Sequence, residues 1–409
     1  MLSWASRFGI FLFLDSNEYT AQGGSYECLL GADAAEICTA DHGDLFGTLR
    51  SFHQEHKDWL FGHIAYDAKN NLEPRLSSQH PQKHPFPQLQ FFVPQVVMGI
   101  CTGSQELFIE AGNDDAAAIY REMLECSLPE KVLPKLIFQQ RIDHRDYLAK
   151  IAALREHIRN GDCYEINFCN EGFCENADID PIGVFKKLNG ISPAPFAACY
   201  KLQEQYLMCA SPERYLSKTG DRLMAQPIKG TARRSADHAE DELLKDALYH
   251  SEKERAENVM IVDLMRNDLA RSCEAGSIHV DELFGIYSFP QVHQMISTVS
   301  GTLREAMTFA DALQYSFPMG SMTGAPKVKV MELIEQYEEA RRGLFAGTVG
   351  YITPHGDFDF NVVIRSLFYN AASNYLSYQT GGAITWDSDA QSEWEEMRLK
   401  AAAMERLFQ

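Results

Sequence analysis

The chain has 409 residues, 45% of them hydrophobic, and a formal net charge of −20. At roughly 100–200 residues per domain, this length predicts two or three domains or one large interlocked fold, and the apolar content excludes a disordered chain. The acidic balance excludes a nucleic-acid footprint, which needs clustered Lys and Arg, and it requires any site for an anionic substrate to be cationic locally.

In chain order, Arg7 and the apolar run Phe8 to Leu14 mimic a secretion signal, but Asp15 interrupts the run, which is read as a first strand. Residues 1–126 alternate short apolar runs with turn-rich stretches, among them Leu89 to Pro94 and the His and Pro cluster between Ser77 and Pro87. This predicts a strand-rich N-terminal portion. Ser127 to Pro134 carries two prolines without periodicity and is the predicted linker to a second portion, 135–409. There, Leu148, Ile151, Leu154 and Ile158 mark one face of a helix over Tyr147 to Arg159. Further helices are predicted within Ala236 to Cys273, Phe309 to Phe317, Pro326 to Arg342 and from Ala390 onward. Gly347 to Ile352, Phe358 to Tyr369 and Tyr375 to Gln379 read as strands whose short turns imply antiparallel pairing. The ten cysteines are scattered, with no CxxC pair, as expected of free thiols in a reducing cytoplasm; no membrane partner is expected.

Several residue types invite chemistry, each with a plainer reading beside it. Glu254 and Glu257, at i, i+3, share a helix face, and Glu393 and Glu396 repeat the device. Two such pairs suit Mg²⁺, which takes oxygen ligands; each alone also fits a solvated helix face. Gly320 to Lys327 opens a helix with Pro326 at its first position, whose N-terminus suits an anion, although capping alone explains its Gly and Pro, and the phosphate-loop spacing is not met. Lys229, beside Gly230 at a strand end, is a turn lysine unless burial or a neighbouring cation lowers its pKa. Arg365, after an apolar strand, needs a partner if buried: a substrate carboxylate or an internal acid. His293 fits a proton donor or a hydrogen-bonded core histidine.

Taken together, Ser211-Pro212-Glu213, Pro227-Ile228-Lys229-Gly230-Thr231, Asp263 to Asp268, Gly320 to Lys327, and Asp387-Ser388-Asp389 followed by Glu393 and Glu396 resemble the chorismate-utilising enzymes. The resemblance runs from about 145 to 405. It is looser before that, through Trp59 to Gly62, Tyr66-Asp67, and Phe13-Leu14-Asp15-Ser16, which is similar to the family's strand carrying a tryptophan-pocket serine.

The resemblance implies an α+β fold of antiparallel β-sheets packed face to face with helices outside. It implies Mg²⁺ on Glu257 and Glu396, with Glu254 and Glu393 in support, holding the ring carboxylate of chorismate. It places Arg365 and Tyr351 on the enolpyruvyl carboxylate, Gly381, Gly382 and Ala383 in a loop with backbone amides toward substrate, Gly230, Thr231 and Thr323 beside the ring, and Lys400 as added positive charge. Lys229 is similar to the lysine of the aminodeoxychorismate synthase branch, where anthranilate synthases usually carry alanine. The implied chemistry is attack of Lys229 on C2, departure of the C4 hydroxyl with Glu213 as general acid, and ammonia attack at C4. The product would be 4-amino-4-deoxychorismate, toward para-aminobenzoate and folate; the alternative is anthranilate synthesis with pyruvate loss, with His293 as participant. Glu165 departs from the usual glutamine of the amine-transferring branches, and is expected to position or deprotonate incoming ammonium. Asn258, Met397 and Ala383 depart from the family's common His, Thr and Gly. With no glutaminase signature in the chain, ammonia is expected free or from a separate glutamine amidotransferase subunit.

Overall fold

A computed structural model describes residues 1–19, 23–112, 115–127, 131–290 and 292–409; residues 128–130 of the predicted linker lie outside these. The strands hydrogen-bond into one continuous ribbon, and every pairing among the described residues is antiparallel. In one half, Glu165–Cys174 pairs with Tyr375–Ile384, and neighbours follow through Ser366–Asn370, Gln205–Ser211, Phe196–Leu202 and Ile10–Asp15 to Tyr26–Ala40. Leu89–Cys101 then leads through Leu60–Ile64 to Thr348–Ile352, Phe358–Asn361, Arg214–Thr219, Arg222–Gln226 and Val292–Thr302. Strands from before residue 127 therefore pair directly with strands from beyond residue 134.

Period-two alternation decides which side chains face which core. Leu12, Leu29, Ala198 and Leu207 enter a core shared with Leu216, Leu223, Val299 and Phe360 of the other half. Their neighbours Phe11, Leu30, Ala197 and Met208 enter a second core closed by Ile182, Phe185 and Leu188 of the helix Pro181–Ile191. Two sheet faces thus pack on each other while helices cover the outside, each fully buried Leu or Phe contributing roughly 1.5–3 kcal/mol. A third cluster seats the helices His144–Arg159, Lys327–Tyr337 and Ala390–Glu405 on Glu165–Cys174 and Tyr375–Ile384 through Ile151, Ile166, Phe168, Val330, Ile384 and Met397.

The predicted helices form, with Ala236 to Cys273 divided into His238–His250 and Glu252–Ala270 and with Pro326 to Arg342 shortened to Lys327–Tyr337, while Pro181–Ile191 is a helix not expected. Three local readings change. The strand expected over Phe358 to Tyr369 is two, Phe358–Asn361 and Ser366–Asn370, because Arg365 takes φ +50° in the left-handed region and breaks the pleat. Tyr375–Ile384 runs on through Gly381, Gly382 and Ala383, so these are strand residues rather than a loop. Leu45–His56 is a helix inside the strand-rich N-terminal portion. Asp44 caps it and Leu45, Phe46, Leu49 and His53 form its buried face, a signal present in the sequence. Among the described residues no helix is long and apolar enough to cross a membrane.

Candidate active site

Between the strand pairs Ile228 with Ile296 and Thr231 with Gln294, the register of Ile228–Arg233 slips, so Lys229 and Gly230 form a bulge rather than the strand end expected. Gly230 takes φ +97°, and a Cβ there would lie 3.1 Å from Glu254 Oε2 and 3.2 Å from Met295 Cβ. Glycine lets the chain twist here and turns Lys229 inward.

Lys229 is buried, not an exposed turn lysine, and its ammonium donates a short hydrogen bond to Glu165 Oε1; the two side chains are 9% and 7% exposed. Burial alone would lower its pKa. The Glu165 charge and hydrogen bond, then Glu257 and Glu213, outweigh it and hold Lys229 above the ordinary lysine value. Glu165 reaches this point because its strand begins there, paired to Gly324 and Ala325 of the turn that follows Gly320–Met322.

Glu213 sits in the tight connection between Gln205–Ser211 and Arg214–Thr219, its N–H donating to Ser211 Oγ at 3.2 Å and its carbonyl accepting from Val362 N–H at 3.0 Å. Burial pushes its carboxyl up to about 7, opposed by hydrogen bonds from Ser321 and the Ile228 N–H and by the charges of Lys229 and Arg365. Arg365 faces the same space. Burial lowers its pKa, Glu213 opposes that, and among the described residues no carboxylate comes within ion-pair distance of its guanidinium. Arg365 is half-buried, and a partly desolvated guanidinium without an internal acid is suited to an incoming carboxylate.

The carboxylate pairs flank this space on two helices, one capped by Ser251 and the other by Asp389. Burial pushes Glu257 up to about 7 and raises Glu254 and Glu393. Glu396 is more open, its side chain 52% exposed; partial burial pushes it up less than Lys400, 2.7 Å away, pulls it down, so it lies below the ordinary range. Glu254 and Glu396 lie near enough across the two helices for the charge of Glu396 to raise Glu254. A side chain at Gly382 would meet Glu393 Oε2 at 3.1 Å and lie 3.7 Å from Glu396 Oε1, so glycine keeps the space above these acids open. Among the described residues no three carboxylate, imidazole or thiol groups are gathered into a preformed cage. The donors are nonetheless all hard oxygens, and they fit Mg²⁺, which commonly uses one or two protein carboxylates and completes its shell with substrate and water.

The other expected residues divide. Thr323 is fully buried and donates to the Met319 and Gly320 carbonyls, at 3.2 and 3.3 Å, while Thr231 is exposed. Gly381, Gly382 and Ala383 pair with Cys169, Phe168 and Asn167 on one edge. The strand on the other edge stops at Tyr378, leaving that edge of their backbone without a described strand. Lys400 also donates to the Gly381 carbonyl, at 2.8 Å.

Two residues are placed elsewhere. Tyr351 packs against Tyr26, Trp59 and Phe61 and lines a separate pocket with Ser16, Tyr19, Pro195 and Phe196. Its strand alternation turns it toward the N-terminal portion. His293 has both ring nitrogens engaged, Nδ1 with Ser288 Oγ at 2.8 Å and Nε2 with Asp241 at 3.1 Å, in the Arg234–Asp241 network. It is the core histidine rather than a free proton donor. Lys327 likewise is taken up by Asp268, at 2.8 and 2.7 Å, so the Gly320 to Lys327 segment does not offer that lysine to a ligand.

Three residues that position the site were not singled out. Ser388 Oγ donates to Glu393 Oε1 at 2.7 Å, and Ser321 hydrogen-bonds Glu213. Arg342, paired with Glu338, donates to the carbonyls of Met322 and Asn167, at 2.7 and 2.9 Å, tying the turn before Thr323 to the strand of Glu165. Both serines stand inside motifs already noted; nothing local marks Arg342.

A family model described as chorismate binding enzyme matches residues 14–406. Over 255 residues the chain is 39% identical to aminodeoxychorismate synthase component 1 of Klebsiella aerogenes, covering 62% of this chain and 56% of that protein. Over 259 residues it is 36% identical to the component 1 of Bacillus subtilis (strain 168), covering 63% and 54%. The matched part thus spans little more than half the length of these relatives. Among solved structures, anthranilate synthase component I from Streptococcus pneumoniae TIGR4 superposes with a TM-score of 0.82 at 25% identity, covering 95% of this chain and 94% of that one. The menaquinone-specific isochorismate synthase from Escherichia coli shares the fold, with a TM-score of 0.78 at 19% identity over 100% and 91%. With a family match across nearly its whole length, this chain belongs to the chorismate-binding enzymes.

Proposed function

We propose that this chain aminates chorismate at C4 with ammonia to give 4-amino-4-deoxychorismate, through a covalent intermediate on Lys229. The observation that carries the reading is the buried Lys229 grouped with Glu213, whose carboxyl burial pushes up to about 7, and with Arg365, which has no acid in ion-pair distance among the described residues. Arg365 binds the enolpyruvyl carboxylate. Lys229 attacks C2, the ring double bond shifts, and the C4–O bond breaks as Glu213 gives its proton to the leaving hydroxyl. Ammonia then attacks C4, the shift reverses, and the C2–N bond breaks to free Lys229. Burial keeps water from competing at C4.

Mg²⁺, held by Glu257 and Glu396 with Glu254 and Glu393 beside them, would supply positive charge for the ring carboxylate. The name component 1 that these relatives carry supports a separate subunit that delivers ammonia from glutamine. The pocket lined by Ser16, whose buried Oγ has no partner among the described residues, and by Tyr26, Phe196 and Tyr351 has an aromatic lining suited to tryptophan.

The test is product identification after incubation with chorismate, Mg²⁺ and ammonium: 4-amino-4-deoxychorismate supports the reading. Anthranilate with pyruvate would replace it with the second reading, which the 25% identical anthranilate synthase structure favours and the engaged His293 opposes.

A further inference from the structure

We infer that Glu165 is the base that takes the proton from Lys229 and so converts it from a resting ammonium into the nucleophile; this rests on the covalent reading above. A lysine bonded through its lone pair to a proton cannot attack carbon, and that proton must go somewhere before C–N bond formation. Bulk water is a poor acceptor here, since only 9% of the lysine side chain is exposed. Glu165 from the strand Glu165–Cys174, Glu213 from the connection before Arg214–Thr219, Glu254 and Glu257 from the helix Glu252–Ala270, and Glu396 from Ala390–Glu405 all feel the Lys229 charge. Only Glu165 among these described acids is within hydrogen-bonding distance of Nζ. Glu213 is unsuited, because its task requires it to start protonated. A glutamine at position 165 could accept a hydrogen bond but could not store the proton.

The transfer balances within the pair. The Lys229 ammonium and Glu165 carboxylate become an amine and a carboxylic acid with no net change in charge. The amine lone pair then forms the bond to C2, and the C4 hydroxyl leaves as water with the Glu213 proton. When ammonia has added at C4 and the C2–N bond has broken, the electron pair returns to Nζ as neutral amine. Glu165 gives its proton back, restoring the ion pair, and Glu213 is reprotonated from the product ammonium or solvent.

The experiment is single-turnover mixing of the full chain with chorismate and Mg²⁺ without ammonia, following the Lys229 adduct by intact-protein and peptide mass. Wild type is expected to form the adduct. Glu165→Gln is expected to form it about 10²-fold or more slowly, with chorismate affinity within a few-fold of wild type. Glu165→Ala is expected to regain rate with added formate, a rescue that a folding or packing role would not give. An adduct forming at the wild-type rate in Glu165→Gln overturns the assignment of the base, as does a slow Glu165→Ala that binds chorismate normally yet ignores formate. Absence of any wild-type adduct, together with full amination by Lys229→Ala, overturns the covalent reading itself and is distinguishable from both.

Discussion

Glu213 and Arg365 face one another across a buried space without forming an ion pair: the carboxyl is displaced upward, to about 7, and the guanidinium downward, and each charge opposes the other's shift. The two are fixed by one piece of backbone. Ser211 Oγ donates to the Val362 carbonyl at 2.6 Å, and Val362 N–H donates to the Glu213 carbonyl at 3.0 Å, three residues before Arg365 turns into the left-handed region.

Removing the guanidinium should expose its role. Arg365→Met is expected to lower kcat/KM for chorismate by roughly 10–150-fold, the loss of about 1.5–3 kcal/mol of charged hydrogen bonding. Thermal stability should not fall, since a half-buried cation with no acid partner among the described residues is costly to keep. Steady-state kinetics and a melting curve check both halves.

Glu213 sets a pH limit. As a general acid it must be protonated, so kcat/KM should decline as pH rises through about 7. Its folded pKa lies above the unfolded value, so the associated stability is fully present below the unfolded pKa, near 4.5, and is lost as pH rises through about 7. Glu213→Gln should therefore be inactive yet more stable than wild type at pH 8, by on the order of 3 kcal/mol. Equal denaturation midpoints at pH 8 would count against the buried placement.

Gly230→Ala should cost about 1–2 kcal/mol, because φ +97° is unfavourable for a side chain and the added Cβ meets Glu254 and Met295. It should also weaken Mg²⁺ activation by shifting Glu254. An unchanged melting temperature would contradict the bulge geometry.

Metal removal offers a separate check. A chelator should abolish amination and added Mg²⁺ restore it, with Glu257→Gln raising the Mg²⁺ concentration for half activity by at least about tenfold. Ser388→Ala, which frees Glu393 from its 2.7 Å hydrogen bond, should raise it by roughly 10–100-fold. An undiminished rate in chelator would remove the metal from the scheme.

Lys327 is expected to be structural. Breaking its pair with Asp268, which is 5% exposed, should cost roughly 3–5 kcal/mol in Lys327→Met, measured by denaturant unfolding. Inorganic phosphate should not inhibit wild type through this segment.

Periodicity and caps are local properties, so the sequence alone located most helices of residues 135–409, though not Pro181–Ile191, and, through ordered motifs, the family. It also placed Glu254 with Glu257 and Glu393 with Glu396 on shared helix faces, because i, i+3 spacing needs nothing beyond the helix. What neighbours each side chain across the sandwich is not local. Whether Lys229 is a turn lysine or a buried ammonium depends on a bulge opposite Ile296 and Gln294 and on Glu165, which stands 64 residues earlier in the chain. Tyr351 and His293 show the same limit: the resemblance names them, but strand alternation sends one to the N-terminal pocket and Asp241 claims the other. Only the tertiary structure could decide these cases, because burial and a charged neighbour a few ångströms away set the protonation state of each group, and both arise from packing between distant segments.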